Sequence, residues 1–460
     1  MKSVVTLNKV LFLFSLLVIG SCKKFVQVDP PPTQIQSKQI FSEDNSAIAA
    51  VNGLYSMLAI GNLNILNGGI TLYTGAAGDE IYPTASNADV NPFYTNSVSA
   101  NHSNLYNRLW KAAYNNNGIY TANAILDGLA KSHSLTDTLR KQLTGEVKVI
   151  RALEYFYLVN LFGDVPLVTT TDFETNSTLS RTSANVIYDF LVSELNEASS
   201  LLSSFYPTGN RARINKWTAV ALLSRVYLYK SDWIDAEAKA TEVINSGIYS
   251  LSTNPANVFN SINSNETIWQ LARDNSNTAE GATFIPSSTT VRPTYALTNY
   301  LLNAFETGDL RKSAWTAKNK VSGVDYYYPF KYKSRTATQA TEYYILFRLA
   351  EQYLMRSEAR ARKGDVTGAV SDLDLIRTRA GLANSTANTQ ATLLSAVLNE
   401  RQVELFCELG NRWFDLKRTG KADAILGSIK GTNWQSTDVL LPIPQTEIDK
   451  NPTLNQNPGY

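Results

Sequence analysis

Apolar residues recur at helical spacing through most of the chain. They fall three and four apart from Ser46 to Ile60 (SAIAAVNGLYSMLAI), and again from Leu105 through Leu109, Trp110, Ala113, Ile119, Ala122 and Leu126. That period predicts amphipathic helices with one buried face. Between them, residues 61–104 are rich in Asn, Gly, Thr, Ser and Tyr and hold no sustained period. This predicts a long loop region, and loops of that length in a compact protein are usually functional. Helical periodicity resumes in LTGEVKVIRALEYFYLVNLFG, where Gly163 stands at a C-cap position with Pro166 just beyond. A further helix is predicted over Val186 to Leu202.

Two later segments can be laid on each other. KWTAVALLSRVYLYKSDWIDAEAKATEVINSG and LFRLAEQYLMRSEARARKGDVTGAVSDLDLIRTRAG align at Lys230-Ser231-Asp232 with Ala236, and at Lys363-Gly364-Asp365 with Ala369. Each reads as helix, tight turn, helix. Small alanine positions let the two helices of such a hairpin pack closely, and hairpins stack because one alone cannot bury its apolar face. The predicted fold class is therefore mostly α, a tetratricopeptide-like helical hairpin scaffold with long inserted loops and small β pieces. Residues 252–341 lie between the two copies and hold short strand-like runs such as ETIWQLA and DYYYPFKY, separated by Ser, Thr, Asn, Gly and Pro. They are read as irregular structure with small sheets, inserted where binding residues tend to sit.

The start of the chain has its own logic. Lys2 and Lys9 supply a basic region, Val10 to Ile19 is apolar, and Gly20-Ser21 are small, which is the anatomy of a secretory signal peptide. About ten apolar residues are too few to span a bilayer, which takes ~20. Ile19-Gly20-Ser21-Cys22 resembles a bacterial lipobox, in which the cysteine thiol becomes lipidated and is the first residue of the mature chain. Residues 1–21 are thus read as signal peptide and 22–40 as lipid anchor and tether, stiffened by Pro30-Pro31-Pro32. Residues 41–460 are expected to form a single domain, and none of their segments is expected to cross a membrane.

Composition narrows the chemistry. A net charge of +2 over 460 residues gives no reason to expect nucleic acid. With two histidines and, Cys22 aside, only Cys407, a zinc site or a nucleophile triad has few ligands to draw on. His102 and His133 are read as polar loop residues, and no metal or cofactor is expected. Aromatic residues are plentiful by contrast, with 24 Tyr, 17 Phe and 7 Trp. Most belong in cores, and a minority in loops can act as flat ligand platforms.

The C-terminal stretch is the most distinctive. NERQVELFCELGNRWFDLKRTG (399–420), followed by LLPIPQTEIDKNPTLNQNPGY (440–460), resembles the closing signature of the SusD/RagB family of outer-membrane nutrient-binding lipoproteins. CKKFVQVDPPPT, VNGLYSML, LWKAAYNNNGIYTAN, VKVIRALEYFYLVNLFGDVPLV, AVALLSRVYLYKSDW and VINSGIYSL agree with it in order along the chain. Two departures are Cys407, read as a buried apolar residue, and Lys23-Lys24, where acidic residues often accompany surface export. The resemblance implies a non-enzymatic protein, anchored in the outer membrane and facing outward. It would capture oligosaccharides, or in some branches peptides, and deliver them to a SusC-like TonB-dependent transporter on which it sits as a lid. Two rival readings are a secreted glycoside hydrolase, which would need a pair of carboxylates across a cleft, and a tetratricopeptide-type assembly scaffold, which would bind protein only and show no saccharide affinity.

The signature charges Glu358, Arg377, Arg379, Glu400, Arg401, Glu404, Arg412, Asp415 and Arg418 are read as an ion-pair network that fixes helix packing. PIPQ cannot be helical and is expected to run extended over the helices. Ligand contacts are expected in the two long loop regions, where aromatic residues fall in polar, aperiodic sequence. The candidates are Tyr73, Asp79, Tyr82, Asn91 and Tyr94 in the first, and Arg292, Tyr295 and Trp315 in the second. In DYYYPFKY, alternation along a strand allows at most two of the three tyrosines onto one surface. Trp110 is assigned to the core.

Overall fold

A computed structural model describes residues 37–61, 63–115, 118–262, 264–273, 277–336 and 339–460. The predicted signal peptide, the Cys22 anchor and the tether as far as residue 36 lie outside the described residues.

The main helices are α1 (Asp44–Ala59), α2 (Gly69–Ala77), α3 (Ile119–Lys131), α4 (Asp137–Phe162), α5 (Ala184–Leu201), α6 (Lys216–Tyr229), α7 (Trp233–Ile244), α8 (Leu349–Lys363), α9 (Val366–Arg379), α10 (Gln390–Glu404) and α11 (Asn411–Arg418). From α3 to α9 each packs on its successor. The helical scaffold predicted from periodicity is what the chain forms. In α1 the buried residues Ala47, Val51, Leu54 and Leu58 trace the predicted apolar stripe. α4 ends where Gly163 takes φ +73°, a left-handed conformation that favours glycine.

The two hairpins match atom for atom at their tips. Asp232 caps α7 by accepting the Asp235 N–H at 3.2 Å, and Asp365 caps α9 by accepting the Gly368 N–H at 2.9 Å. Across each hairpin a buried serine donates to a buried alanine carbonyl, Ser224 to Ala236 at 2.9 Å and Ser357 to Ala369 at 2.7 Å. α7 and α8 also pack on each other, with Glu237 paired to Arg360 and Lys363, both at 2.9 Å. The chain thus leaves the stack after α7 and rejoins it at α8, with the intervening segment projecting as an insertion.

That insertion carries the predicted small β pieces. β1 (Ile81–Pro83) pairs antiparallel with β3 (Tyr295–Leu297), β2 (Thr267–Leu271) with β6 (Tyr344–Arg348), and β4 (Thr316–Val321) with β5 (Val324–Pro329). The β4–β5 hairpin turns on Ser322 and Gly323, both at positive φ. The β1–β3 pair joins residues 61–104 to the insertion.

Two expectations are corrected here. Residues 61–104 are not one loop. They contain α2, β1 and a short helix Asn91–Tyr94. All nine residues of α2 are buried, so no polar face exists to generate a period. The helix expected from Leu105 to Leu126 is interrupted. A π-helical turn Leu105–Trp110 runs into Lys111–Tyr114, and α3 begins only at Ile119, after the NNNG run. Trp110 is core, as read. Residues 441–444 are non-helical, with the Leu441 N–H donating to the Leu161 carbonyl at 2.8 Å.

Candidate functional site

The signature charges form an interior network. Arg348 reaches Glu266, Glu404 and Glu408 at 2.5–2.9 Å, and Arg311 reaches Asp309, Glu400 and Glu404 at 2.6–3.0 Å. Arg379 joins Glu266 and Glu404, Arg401 pairs with Asp415, and Arg418 pairs with Glu358 and Asp415. Glu400, Glu404 and Asp415 are 0–3% exposed. Carboxylates in that position are out of reach of a polysaccharide, which supports the packing role over an acid–base role. Among the described residues there is no cluster of His, Cys, Asp or Glu able to hold a metal, and no helix long and apolar enough to cross a membrane.

The structure buries four of the eight ligand candidates, Trp315, Tyr73, Asp79 and Tyr295. Trp315 is 1% exposed, its N–H donates to the Pro255 carbonyl at 2.9 Å, and Lys331, Arg348 and Arg379 lie 4.6–5.8 Å from its ring. It is a hydrophobic and cation–π anchor for the ion network. Tyr73 is 2% exposed in α2 and packs on Phe93 with centroids 4.6 Å apart. Asp79 is fully buried, and its carboxylate takes Nε of Arg412 at 3.0 Å and Nη2 at 2.6 Å. The expectation that these three and Tyr295 face a ligand is therefore corrected. Segments without a period can still be interior.

Three others come together at the surface, on different segments. Tyr82 projects from β1 half-buried, Tyr94 ends the Asn91–Tyr94 helix 37% exposed, and Arg292 lies exposed before β3. The fourth member was not chosen from the sequence. Tyr326 of β5 is partly exposed and stands 6.0 Å from the Arg292 guanidinium. Burial raises the Tyr82 phenol pKa, the neighbouring Tyr326 and Tyr94 hydroxyls add to that, and Arg292 opposes it. The strand alternation in DYYYPFKY was the signal for Tyr326. Tyr327 sits with Lys318, 5.6 Å from its ring, and Tyr328 is buried against Phe330.

The cluster rests on rigid supports. Phe93 anchors the Tyr94 helix on α2 through Tyr73. Lys430 donates to the carbonyls of Ala76 and Tyr94, each at 2.7 Å, and its ammonium lies 4.7 Å from the Tyr94 ring centre. Burial lowers that amine to about 7. Tyr295, 7% exposed, sits beneath, its hydroxyl accepting from Asn87 at 3.2 Å. Asn91 keeps its side-chain oxygen buried, with no hydrogen-bond partner among the described residues. Asn319, opposite Tyr326 in the hairpin, donates to the Ser288 and Val291 carbonyls at 2.8 and 2.6 Å and so fixes the backbone beside Arg292.

A stack of helical hairpins with an inserted, aromatic-faced segment is the architecture of a binding protein built on a tetratricopeptide-like scaffold. Residues 259–460 match the SusD family, and residues 41–228 match a second model described as "starch-binding associating with outer membrane". The chain is thus similar to the SusD/RagB family along most of its length. SusD-like protein P25 of Formosa agariphila is 27% identical, with 98% of this chain and 99% of that protein covered. The starch-binding protein SusD of Bacteroides thetaiotaomicron is 26% identical over 72% of this chain and 75% of its own length. A laminarin-binding SusD-like protein of known structure shares the fold, with a TM-score of 0.78 over 91% of this chain and all of that one, at 24% identity.

Proposed function

We propose that this protein is an outer-membrane glycan-binding lipoprotein. Lipidated at Cys22, it captures oligosaccharides at the cell surface and passes them to a SusC-like TonB-dependent transporter, without chemistry of its own. The observation that carries this reading is the surface cluster of Tyr82, Tyr94, Tyr326 and Arg292. Flat phenol rings stack on the apolar C–H faces of sugars, while the hydroxyls and the guanidinium supply donors to sugar oxygens. The two family-model matches and the starch-binding name of one relative support the same reading.

The test is retention of the soluble chain, begun after Cys22, by a panel of polysaccharides, oligosaccharides and peptide mixtures, with product release scored in parallel. Retention by one glycan class without new reducing ends is the expected result. Release of sugars makes the protein a hydrolase, and retention by peptides alone moves it to a peptide-capturing branch. Tyr94→Ala and Tyr326→Ala should each weaken the glycan affinity roughly 2- to 12-fold, the worth of one aromatic stacking contact. Unchanged affinity in both removes the cluster from the site. Delivery is checked by co-purification of the full-length lipoprotein with its transporter.

A further inference from the structure

A groove of about 690 Å³ opens at a second place on the molecule, between the start of α3, the segment after α4 and the C-terminal helix Gln445–Lys450. None of Tyr82, Tyr94, Arg292 and Tyr326 lines it. Trp110 and Tyr114 form its floor, with ring centroids 5.0 Å apart. Tyr120 and Phe173 form its walls, and they are 46% and 81% exposed. Leaving a phenylalanine that far in water is unfavourable unless something covers it.

The groove is preformed. The Tyr114 hydroxyl donates to the Pro166 carbonyl at 2.7 Å, and the ring packs edge-on against Tyr155. The turn carrying Phe173 is held by the Asp172 cap on the Thr175 N–H at 2.7 Å, and by Asn176 donating to the Thr170 carbonyl at 2.9 Å. Its rim is polar yet offers no net charge, because Glu447 and Lys450 pair with each other at 3.1 Å. The exposed Asn115 amide and the Tyr120 hydroxyl have no hydrogen-bond partner among the described residues. A charged partner would have to break that pair, which a neutral one need not. A neutral ligand with apolar faces and hydroxyl edges finds both flat rings and free amide and hydroxyl groups, in a volume that suits an oligosaccharide.

We infer that this groove is a second oligosaccharide-binding site, separate from the Tyr82–Tyr326 cluster. The inference rests on the glycan reading above. Two sites on one rigid body let a single long chain be held at two points, and this raises the apparent affinity for polymer over that for short fragments.

The experiment is affinity electrophoresis of the soluble chain in native gels containing amylopectin, laminarin or xylan. Four proteins are compared: wild type, Tyr94→Ala/Tyr326→Ala, Tyr120→Ala/Phe173→Ala, and the variant with all four substitutions. Tyr120 and Phe173 are surface residues, and an unchanged far-UV spectrum and Tm confirm that the groove variant is folded. The polymer that retards wild type should be bound on the order of tenfold more weakly by each pair, and not at all by the fourfold variant. A groove pair that migrates as wild type overturns the inference, as does a cluster pair that already abolishes all retardation; the glycan reading survives both. Release of a co-purifying barrel protein by the groove pair, with retardation unchanged, makes the groove a protein contact and also overturns it. Absence of retardation of wild type by every polymer overturns the second site and the glycan reading together.

Discussion

Glu404 shows what the signature charges do. It is fully buried, and burial alone would raise its pKa, but Arg379, Arg348 and Arg311 outweigh that and hold the carboxyl well below its ordinary range. Removing its charge takes one carboxylate partner from each of three buried guanidinium groups. Glu404→Gln should therefore destabilise the fold by about 3–5 kcal/mol, measured by denaturant unfolding. Loss of less than 1 kcal/mol would mean that the remaining carboxylates re-pair freely. Glu280 behaves in the opposite sense. Burial raises it from 4.5 to about 8, and Glu80 is raised likewise. In the window between these values the folded state holds protons that the unfolded chain has released, so stability falls as pH rises through it. Glu280→Gln should lessen the loss of stability between about pH 5.5 and 8.5 by roughly 3 kcal/mol. The slope should not vanish, because Glu80 keeps its own share. Parallel pH–stability curves for variant and wild type would show that Glu280 does not titrate in this window.

At the scale of elements, the paired hairpins make a symmetric prediction. Asp232 and Asp365 cap equivalent helices through equivalent bonds. Asp232→Ala and Asp365→Ala should each cost about 1 kcal/mol of stability, and the two should add, because the caps share no partner. A large difference between them in thermal or denaturant unfolding would mean that the two repeats do not bear on global stability alike. These hairpins are legible because their second helices, α7 and α9, each have a buried and a solvated face, and because Lys-Ser-Asp and Lys-Gly-Asp mark the turns; α6, buried from Thr218 to Leu228, reads as a helix from its apolar length. The candidate site was legible only in part, for the same physical reason. A period appears when an element is half-buried, so the short helix α2, buried on every side, gives none, and Tyr73 and Asp79 read as loop residues. Trp315 sits in DLRKSAWTAKNK, whose charged residues imply solvent, yet Arg311 is itself interior and paired. Tyr82, Tyr94 and Arg292 also fall in polar, aperiodic sequence, and the structure leaves these three at the surface. Tyr326 was hidden among three tyrosines that only strand pairing could sort.

At the scale of the molecule, separate stretches of the chain are interlocked. Arg311, from the insertion, pairs with Glu400 and Glu404 of α10, while Glu266, just before β2, binds Arg379 of α9. The last residues return to the first half, where Asn457 donates to the Phe162 carbonyl at 2.8 Å and to the Leu441 carbonyl at 2.7 Å, and Arg181 donates to the Asn455 carbonyl at 3.0 Å. One hydrophobic cluster runs from Phe41 to Ile443. With contacts so crossed, the insertion has no independent way to open, and the chain should unfold in one transition. Far-UV circular dichroism reads mainly the helical stack, whereas the seven tryptophans include Trp269 and Trp315 of the insertion. The two curves should coincide. The Tyr82–Tyr326 cluster draws on β1, the Asn91–Tyr94 helix and the insertion, so ligand binding should stabilise the whole fold. At a hundredfold excess of free oligosaccharide over Kd the gain is about 2.7 kcal/mol, and it should move both curves together. An insertion signal that melts first, or one that alone responds to ligand, would show that the binding segment is a unit coupled only loosely to its scaffold.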